Sequence, residues 1–284
     1  MKISTEIASA ARIIGEENAV EYIAKAGFDA WDFSMFAMCR YDSVNKCLLQ
    51  NDHPLAGKDY LAFARRLKAI GLDNGIVCNQ SHTPFPTYCG EIRSYFKRAI
   101  ECSADAGAEI CIIHPDNYKA PEENAEIYLE LLPFAKEHGV KIATENMWNW
   151  DDEKGHSSFA ACATPESFCK HIDLINDSFF VACLDIGHAE MKGSDTSAQQ
   201  MIRELGTRLQ ALHIHDNDKL HDSHQIPFSM DIDFYEVVKA LREINYTGYL
   251  TLEADQYLAS YTAENVFEGI IKLAESAKRL DSMF

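Results

Sequence analysis

Five short apolar segments of the chain each end in a residue that can bind a metal ion. The segments have the length and character of strands buried on both faces. If such strands are parallel and close into one barrel, the side chains at their ends meet at one rim, where they could bind a divalent cation. The five residues are His114, Glu145, Asp185, His213 and Glu253.

The last four of these residues end four successive predicted strands. A carboxylate after one strand is more often a solvated loop residue or a partner of a helix terminus, but four in succession favour a shared site. Three carboxylates and one imidazole make a mostly oxygen ligand set. Such a set suits one Mn²⁺, Mg²⁺ or Co²⁺ ion, or Fe²⁺, whereas Zn²⁺ fits these ligand types less well.

Histidines are also dense at the same predicted rim, although one such histidine alone is more often a hydrogen-bonded loop residue. Gly187 permits a sharp turn that lets His188 face the same pocket as Asp185. His215 lies two residues after His213, on the same side of an extended chain. The other candidates at this rim are His82, His114, Asp222 and His224. The histidines that we expect at the surface are His53, His138, His156 and His171.

Two tryptophans, Trp148 and Trp150, follow Glu145 in a long predicted loop. Trp148 is a candidate for packing against the apolar C–H face of a sugar. The alternative is a loop anchored to the barrel end by two aromatic side chains, and the sequence favours neither. There is no glycine-rich phosphate-binding loop and no Gly-x-Ser-x-Gly motif, so nucleotide cofactors and serine-hydrolase chemistry are poorly supported.

Short apolar segments alternate with longer helical patterns along the whole chain, without a linker. The predicted strands are residues 2–7, 30–34, 73–79, 109–114, 141–145, 181–185, 209–215 and 248–253. The predicted helices are residues 18–26, 59–70, 91–106, 121–138, a segment opened by Thr164, and 197–205, 233–244 and 263–280. This alternation predicts an α/β fold of parallel strands with crossover helices. We expect one domain over residues 1–284, a (β/α)₈ TIM barrel with the active site at the carboxyl ends of the strands. The alternative, an open doubly wound sheet, would gather ligands mainly at one switch point.

Charge and cysteine content limit the class of partner. The chain of 284 residues is 47% hydrophobic and has a formal net charge of -18. An acidic surface repels phosphate backbones and anionic lipids, which argues against nucleic acid or membrane as the main partner. The nine cysteines include no Cys-x-x-Cys pair, which favours free core residues in a reducing compartment. With no signal peptide and no apolar segment long enough to span a bilayer, we expect a soluble cytoplasmic protein.

Nearly the whole chain resembles the xylose isomerase-like TIM-barrel superfamily. This superfamily includes sugar phosphate isomerases/epimerases, ketose 3-epimerases and apurinic endonucleases of the endonuclease IV type. In combination the motifs are specific for the superfamily but weak for any one activity. They are His82, His114-Pro115, Glu145-Asn146, Asp185-x-Gly-His188, His213-Ile-His215-Asp216-Asn217-Asp218, Asp222-x-His224, Ile232-Asp233-Phe234 and Glu253.

The resemblance to the epimerases implies a metal-dependent isomerase or epimerase that acts on a small sugar, polyol or sugar derivative. Glu145, Asp185, His213 and Glu253 would bind one divalent metal ion, which stabilises an enediolate. Glu145 and Glu253 would be the catalytic residues, one removing a proton and the other returning it. His188 would contact substrate oxygens. Further candidates for substrate binding are His82, His114, His215 and Trp148.

Two other activities on the same barrel stay open at this point. The endonuclease members bind three zinc ions, and here Asp222 and His224 would be additional metal ligands. Duplex DNA needs a basic groove, whereas rim residues 151–153 and 216–218 are largely acidic. An inosose dehydratase-type lyase would share the enediolate step and differ in its leaving group. A third hypothesis is a barrel that binds a ligand or partner without catalysis. The resemblance also allows a homo-oligomer.

Overall fold

Eight parallel strands surround one axis in this computed structural model, which describes residues 1–284. The barrel strands are β1 (Lys2–Glu6), β2 (Ala30–Ser34), β3 (Val77–His82), β4 (Ile110–Ile112), β5 (Lys141–Glu145), β6 (Phe180–Asp185), β7 (Leu209–His213) and β8 (Tyr249–Leu252). The strands β1 to β7 each pair with their neighbours in chain order, and β8 pairs with β1. One parallel bridge, Ile214 with Leu252, joins the ends of β7 and β8. The predicted TIM barrel is therefore confirmed, as a nearly closed one.

Eleven helices connect the strands and cover the outside of the barrel. They are α1 (Ala8–Ile14), α2 (Glu16–Ala26), α3 (Tyr60–Asp73), α4 (Gly90–Arg93), α5 (Phe96–Ala106), α6 (Pro121–Glu137), α7 (Pro165–Ile175), α8 (Ile186–Glu190), α9 (Ala198–Leu205), α10 (Phe234–Glu243) and α11 (Val266–Asp281). Their apolar faces form one cluster of 66 buried hydrophobic residues with the outer faces of the strands. Burial of this layer stabilises the barrel and leaves the strand ends for polar residues.

The barrel interior has an apolar half and a polar half. A separate cluster of five apolar residues comes from β4 to β7. On the other half, Ser4, Asn79, Gln80 and Thr251 are buried and hydrogen-bonded to one another. These hydrogen bonds stabilise the interior, because each unpaired buried polar group would cost about 1–3 kcal/mol.

The third strand differs most from its prediction. It spans Val77–His82 instead of residues 73–79, because α3 continues through Gly71 to Asp73. Gly71 therefore lies inside the helix. A side chain at Gly71 would meet the indole of Trp31, so this glycine permits close helix–strand packing. The polar sequence of β3 belongs to the barrel interior, which explains why an apolar pattern placed the strand too early.

Smaller differences between the prediction and the structure concern the segments between the strands, where one helix is divided and a helix and two hairpins are added. Residues 91–106 form two helices, α4 and α5, and helix α1 precedes the predicted first helix. The two long connections contain short antiparallel hairpins, Tyr41–Asp42 with Cys47–Leu48 and Asn149–Asp151 with His156–Ser158. The strands β4 and β7 end two residues before His114 and His215, which therefore lie on loops.

Three local predictions have clear outcomes. Thr164 caps α7 as predicted, because its Oγ1 accepts a hydrogen bond from the Ser167 amide at 3.2 Å. The prediction that His171 is a surface residue is wrong. His171 is buried on the inner face of α7, where Asn124 Nδ2 donates to its Nε2 at 3.3 Å. None of the helices combines the length and apolar character needed to cross a bilayer.

Candidate active site

Four residues at the carboxyl end of the barrel converge as the sequence predicts. Glu145, Asp185 and His213 are the last residues of β5, β6 and β7, and Glu253 follows β8 directly. One ligand atom from each lies within 4.8 Å of those of the other three. His213 Nδ1 lies 3.1 Å from Glu145 Oε2 and 3.2 Å from Glu253 Oε2. We call Glu145, Asp185, His213 and Glu253 the quartet.

The donor atoms of the quartet fit a divalent cation. All four residues are buried. Asp185 Oδ2 has no hydrogen-bond partner, although its surroundings exclude solvent. Buried carboxylates without a compensating charge are strongly unfavourable, whereas a cation among them would satisfy such oxygens. Hard oxygen donors with one imidazole are the ligands that Mn²⁺, Mg²⁺ and similar ions take.

Hydrogen bonds from the following turn hold Asp185 in place. Its Oδ1 accepts from the His188 amide at 2.7 Å and from His215 Nε2 at 3.1 Å. Asn146 donates to the Asp185 carbonyl at 2.9 Å and accepts from the Asp185 amide at 2.8 Å. Asp185 thus serves as the amino-terminal cap of α8, and only its second oxygen is left for a ligand.

The pKa values of the two glutamates of the quartet are shifted in opposite directions. Burial by itself raises the pKa of Glu145, but the charge of His213 and hydrogen bonds from His114 and His213 outweigh it and hold the pKa well below its usual value. Burial raises the pKa of Glu253 well above its usual value, and the neighbouring charge of Glu145 adds to this effect. Two glutamates that share one histidine therefore differ in proton affinity, with Glu253 holding a proton more readily than Glu145.

On one side of the quartet lie His82 and His114. Their Nε2 atoms are 2.8 Å apart, and they lie 3.7 Å and 3.5 Å from Glu145 Oε2. Burial lowers the pKa of His114 to about 4, and the adjacent His82 contributes to the shift. These three residues form a second group whose ligand atoms could surround one ion.

On the other side, Asp222 connects two histidines. Its Oδ2 lies 3.3 Å from His188 Nε2 and 3.2 Å from His224 Nε2. Burial lowers the pKa of His188, but the carboxylates of Asp185 and Asp222 outweigh it and raise the pKa to about 10. His215 stacks on His224 with ring centroids 3.8 Å apart. Asp222 Oδ1 is buried and has no hydrogen-bond partner.

A cavity of about 340 Å³ opens above these residues. Trp148 lines it and donates from Nε1 to Asp222 Oδ2 at 3.1 Å, whereas Trp150 is 41% exposed on the second hairpin and is not a lining residue. Of the predicted site residues, those that line the cavity are His82, His114, Glu145, Trp148, His188, Asp222, His224 and Glu253. His215, also predicted to bind substrate, contacts Asp185 Oδ1 at 3.1 Å and is not a lining residue of the cavity.

Sequence reasoning missed several residues of this site. Inside the barrel, Asp32 contacts His213 and Gln80 donates to Asp32. Aromatic side chains of the first rim loops line the cavity, namely Phe36, Phe85 and Tyr88. An acidic residue in the middle of the apolar strand 30–34 was a usable signal for Asp32. The aromatic residues carry no such signal, because their loops lack a periodic pattern.

Comparisons with known proteins agree with this architecture. The chain is 26% identical over 257 residues to an uncharacterized protein of Methanocaldococcus jannaschii, covering 83% of this chain and 78% of that protein. It is 28% identical over 149 residues to the inosose dehydratase of Clostridium perfringens, covering 46% of each chain. A solved structure of a D-tagatose 3-epimerase-like protein superimposes with a TM-score of 0.71 at 21% identity, covering 99% of both chains. Other solved structures with this fold are ketose 3-epimerases and a sugar phosphate isomerase/epimerase. The family model described as xylose isomerase-like TIM barrel matches residues 20–277. The chain therefore belongs to the xylose isomerase-like TIM barrel family.

Proposed function

We propose that this protein is a divalent-metal-dependent isomerase or epimerase of a small sugar, polyol or sugar derivative. The convergence of Glu145 and Glu253 with Asp185 and His213 beside the cavity carries this proposal. The fold shared with ketose 3-epimerases and a 3-keto-glucoside 4-epimerase supports it.

The quartet explains how the chain would move a proton. A divalent cation held there, with Mn²⁺, Mg²⁺ or Co²⁺ preferred to Zn²⁺, would acidify a C–H bond beside a carbonyl group. Glu145 removes the proton, and Glu253 returns a proton to the opposite face or to the neighbouring carbon. His188, His82 and His114 line the cavity, where they would contact the hydroxyl groups of the substrate, and Trp148 would pack against its C–H face.

The lining of the cavity favours a substrate without a phosphate group. No lysine or arginine lies among its 18 lining residues, which include several carboxylates. The nearby cations are engaged elsewhere: Arg12 pairs with Asp255 Oδ2 at 3.2 Å, Arg93 donates to the Thr87 carbonyl at 3.0 Å, and Lys219 pairs with Glu190 Oε2 at 3.1 Å. Because phosphate recognition usually relies on Arg, Lys or a helix amino terminus, an uncharged polyol fits this cavity better.

Proton NMR in D₂O tests this proposal with a panel of ketoses, aldoses and inososes. We expect deuterium to enter the carbon next to the carbonyl of at least one sugar, in a reaction that a chelator abolishes and Mn²⁺ restores. Glu145→Gln should reduce exchange by at least about 10²-fold, because it removes a proton-transferring group. Glu153→Gln, on an exposed loop, is the matched control. Undiminished exchange in Glu145→Gln would refute the proposed role.

A second candidate is a multi-zinc endonuclease of the endonuclease IV type. Two flanking groups favour it, namely His82 and His114 with Glu145, and Asp222 with His188 and His224. The acidic rim and the lack of lining cations oppose the approach of DNA. Elemental analysis of purified protein distinguishes the two candidates. One ion per chain supports sugar chemistry, and three zinc ions with nicking of an abasic duplex support repair.

A dehydratase on the same barrel is the third candidate, favoured by the partial similarity to an inosose dehydratase. It would begin with the same removal of a proton by Glu145, but Glu253 would then give its proton to the hydroxyl group on the neighbouring carbon, which leaves as water. The NMR panel distinguishes it, because the product would lose one hydroxyl group.

A further inference from the structure

A buried aspartate lies on the far side of His213 from the two glutamates. Asp32, in the middle of β2, is fully buried, and its Oδ2 lies 3.3 Å from His213 Nε2. His213 Nδ1 faces Glu145 and Glu253. The imidazole ring is thus held between two carboxylate groups within the quartet and a third one inside the barrel.

We propose that Asp32 is a positioning residue for metal binding, which fixes the ring of His213 so that Nδ1 faces the cation. The inference rests on the proposed function, since it assumes that the quartet binds a divalent ion. A ligating histidine commonly donates its other ring N–H to a carboxylate, which fixes the tautomer and the ring plane. Here the carboxylate comes from a strand on the opposite side of the barrel.

The direction of the hydrogen bond between Asp32 and His213 follows from a third residue. Gln80 Nε2 donates to the same Asp32 Oδ2 at 2.8 Å. An Asp32 oxygen that accepts from the Gln80 amide is placed to accept a second hydrogen bond on its other lone pair, and this arrangement makes His213 Nε2 the donor. Nδ1 is then the ring nitrogen whose lone pair is available to a cation.

Polar residues of the barrel interior extend this arrangement. Gln80 Oε1 accepts from Thr251 Oγ1 at 3.3 Å and from Asn79 Nδ2 at 3.3 Å. Asn79 Oδ1 in turn accepts from Ser4 Oγ at 2.6 Å. Hydrogen bonds therefore fix both the nitrogen and the oxygen of the Gln80 amide group, so the amide does not turn its oxygen towards Asp32. The polar half of the barrel interior thus has a function beyond packing, because it holds the acceptor for His213.

Co²⁺ binding measures this effect without a substrate. In the Co²⁺-loaded wild type, we expect a paramagnetically shifted proton resonance from His213 Nε2–H that disappears in D₂O. Asp32→Asn should weaken Co²⁺ binding by about 10- to 100-fold and abolish that resonance. Asp29→Asn, at the exposed amino-terminal side of β2, should leave both unchanged, since Asp29 accepts only from the Ile3 amide.

Gln80→Met provides a second route if Asp32→Asn does not fold. It removes the donor that fixes Asp32, and we expect Co²⁺ binding to weaken severalfold. Folded Asp32→Asn or Gln80→Met protein that binds Co²⁺ with wild-type affinity and keeps the resonance would overturn the inference. A wild type that binds one Co²⁺ but exchanges no sugar proton would instead refute the proposed function, and the effect of Asp32 would still be measurable.

Discussion

At the scale of single residues, chemical type alone does not assign a role in this site. Glu145 and Glu253 have the same side chain and share His213, yet the pKa of one is held low and that of the other is raised. The difference in pKa arises from neighbouring residues, because His114 contacts Glu145 and not Glu253. Pairs of carboxyl groups with opposed shifts are a recurrent property of acid–base sites.

Trp148 offers a test of the cavity wall. Trp148→Phe keeps an aromatic ring but removes the hydrogen bond from Nε1 to Asp222. We expect kcat/KM for the best substrate of the NMR panel to fall about 10-fold, equivalent to about 1.4 kcal/mol. Steady-state kinetics measure the change. Trp150→Phe, on the exposed part of the hairpin, should stay within about twofold, and an equal loss in both variants would contradict a specific role of Trp148.

Glu6 makes folding stability depend on pH. Burial raises its pKa to about 7 in the folded protein, from 4.5 for a free side chain. The stabilisation from the protonated carboxyl is complete below pH 4.5 and is lost as the pH rises through 7. Glu6→Gln should therefore be more stable than the wild type at pH 8, by up to about 3 kcal/mol, with little difference at pH 4.5.

Urea unfolding of wild type and Glu6→Gln at several pH values between 4.5 and 8 measures this difference. Glu126→Gln, on the exposed face of α6, is the control and should show no such dependence on pH. A constant difference between Glu6→Gln and wild type across this range would contradict the assignment.

At the scale of elements, the turn after β6 matters most for the site. Gly187 lies in α8, and a methyl group built there would overlap the ring of His215. Gly187→Ala should displace His215 and, through it, Asp185, with a cost of about 1–3 kcal/mol in the free energy of unfolding. Metal affinity should fall as well. Calorimetric titration with Mn²⁺ and urea unfolding check both effects.

Gly57→Ala is the matched control for this element, because its added methyl group would meet only ordinary van der Waals contacts. It should alter neither stability nor Mn²⁺ affinity by a measurable amount. Wild-type Mn²⁺ affinity in Gly187→Ala would show that the close approach of Gly187 to His215 does not support the quartet.

The sequence predicts the bounds of a strand or helix correctly where its apolar pattern is clear. The strands β2 and β5 have the predicted bounds, since their residues form apolar segments between clear turns. The strand β3 was placed too early, because Asn79, Gln80 and Ser81 face a polar interior that an apolar pattern does not indicate. The break between α4 and α5 leaves no proline or glycine signal at Ser94-Tyr95.

At the scale of the whole molecule, the ligands join strands far apart in sequence. Glu145 and Glu253 are separated by more than a hundred residues, and a cation between them would bind only the folded chain. We propose that residues 1–284 form one domain, supported by the single large core cluster. Binding energy of the cation then adds directly to folding stability.

Mn²⁺ at about 100 times its dissociation constant should stabilise the fold by about 2.7 kcal/mol and raise the Tm by about 5–10 °C. Differential scanning calorimetry with a chelator and with added Mn²⁺ measures this shift. Asp185→Asn removes a ligand of the quartet and should lose most of it. An equal shift in that variant would place the stabilising ion elsewhere.

The order of apolar segments, their lengths and the residue at each strand end are local properties, so the sequence alone was sufficient to predict the barrel and the quartet. The contacts between Asp32, Gln80 and His213 depend on strands that meet only after closure of the barrel. The contact between His215 and Asp185 and the burial of His171 also depend on elements that meet only in the folded chain. These features are set by distances across the folded core, which no local pattern encodes.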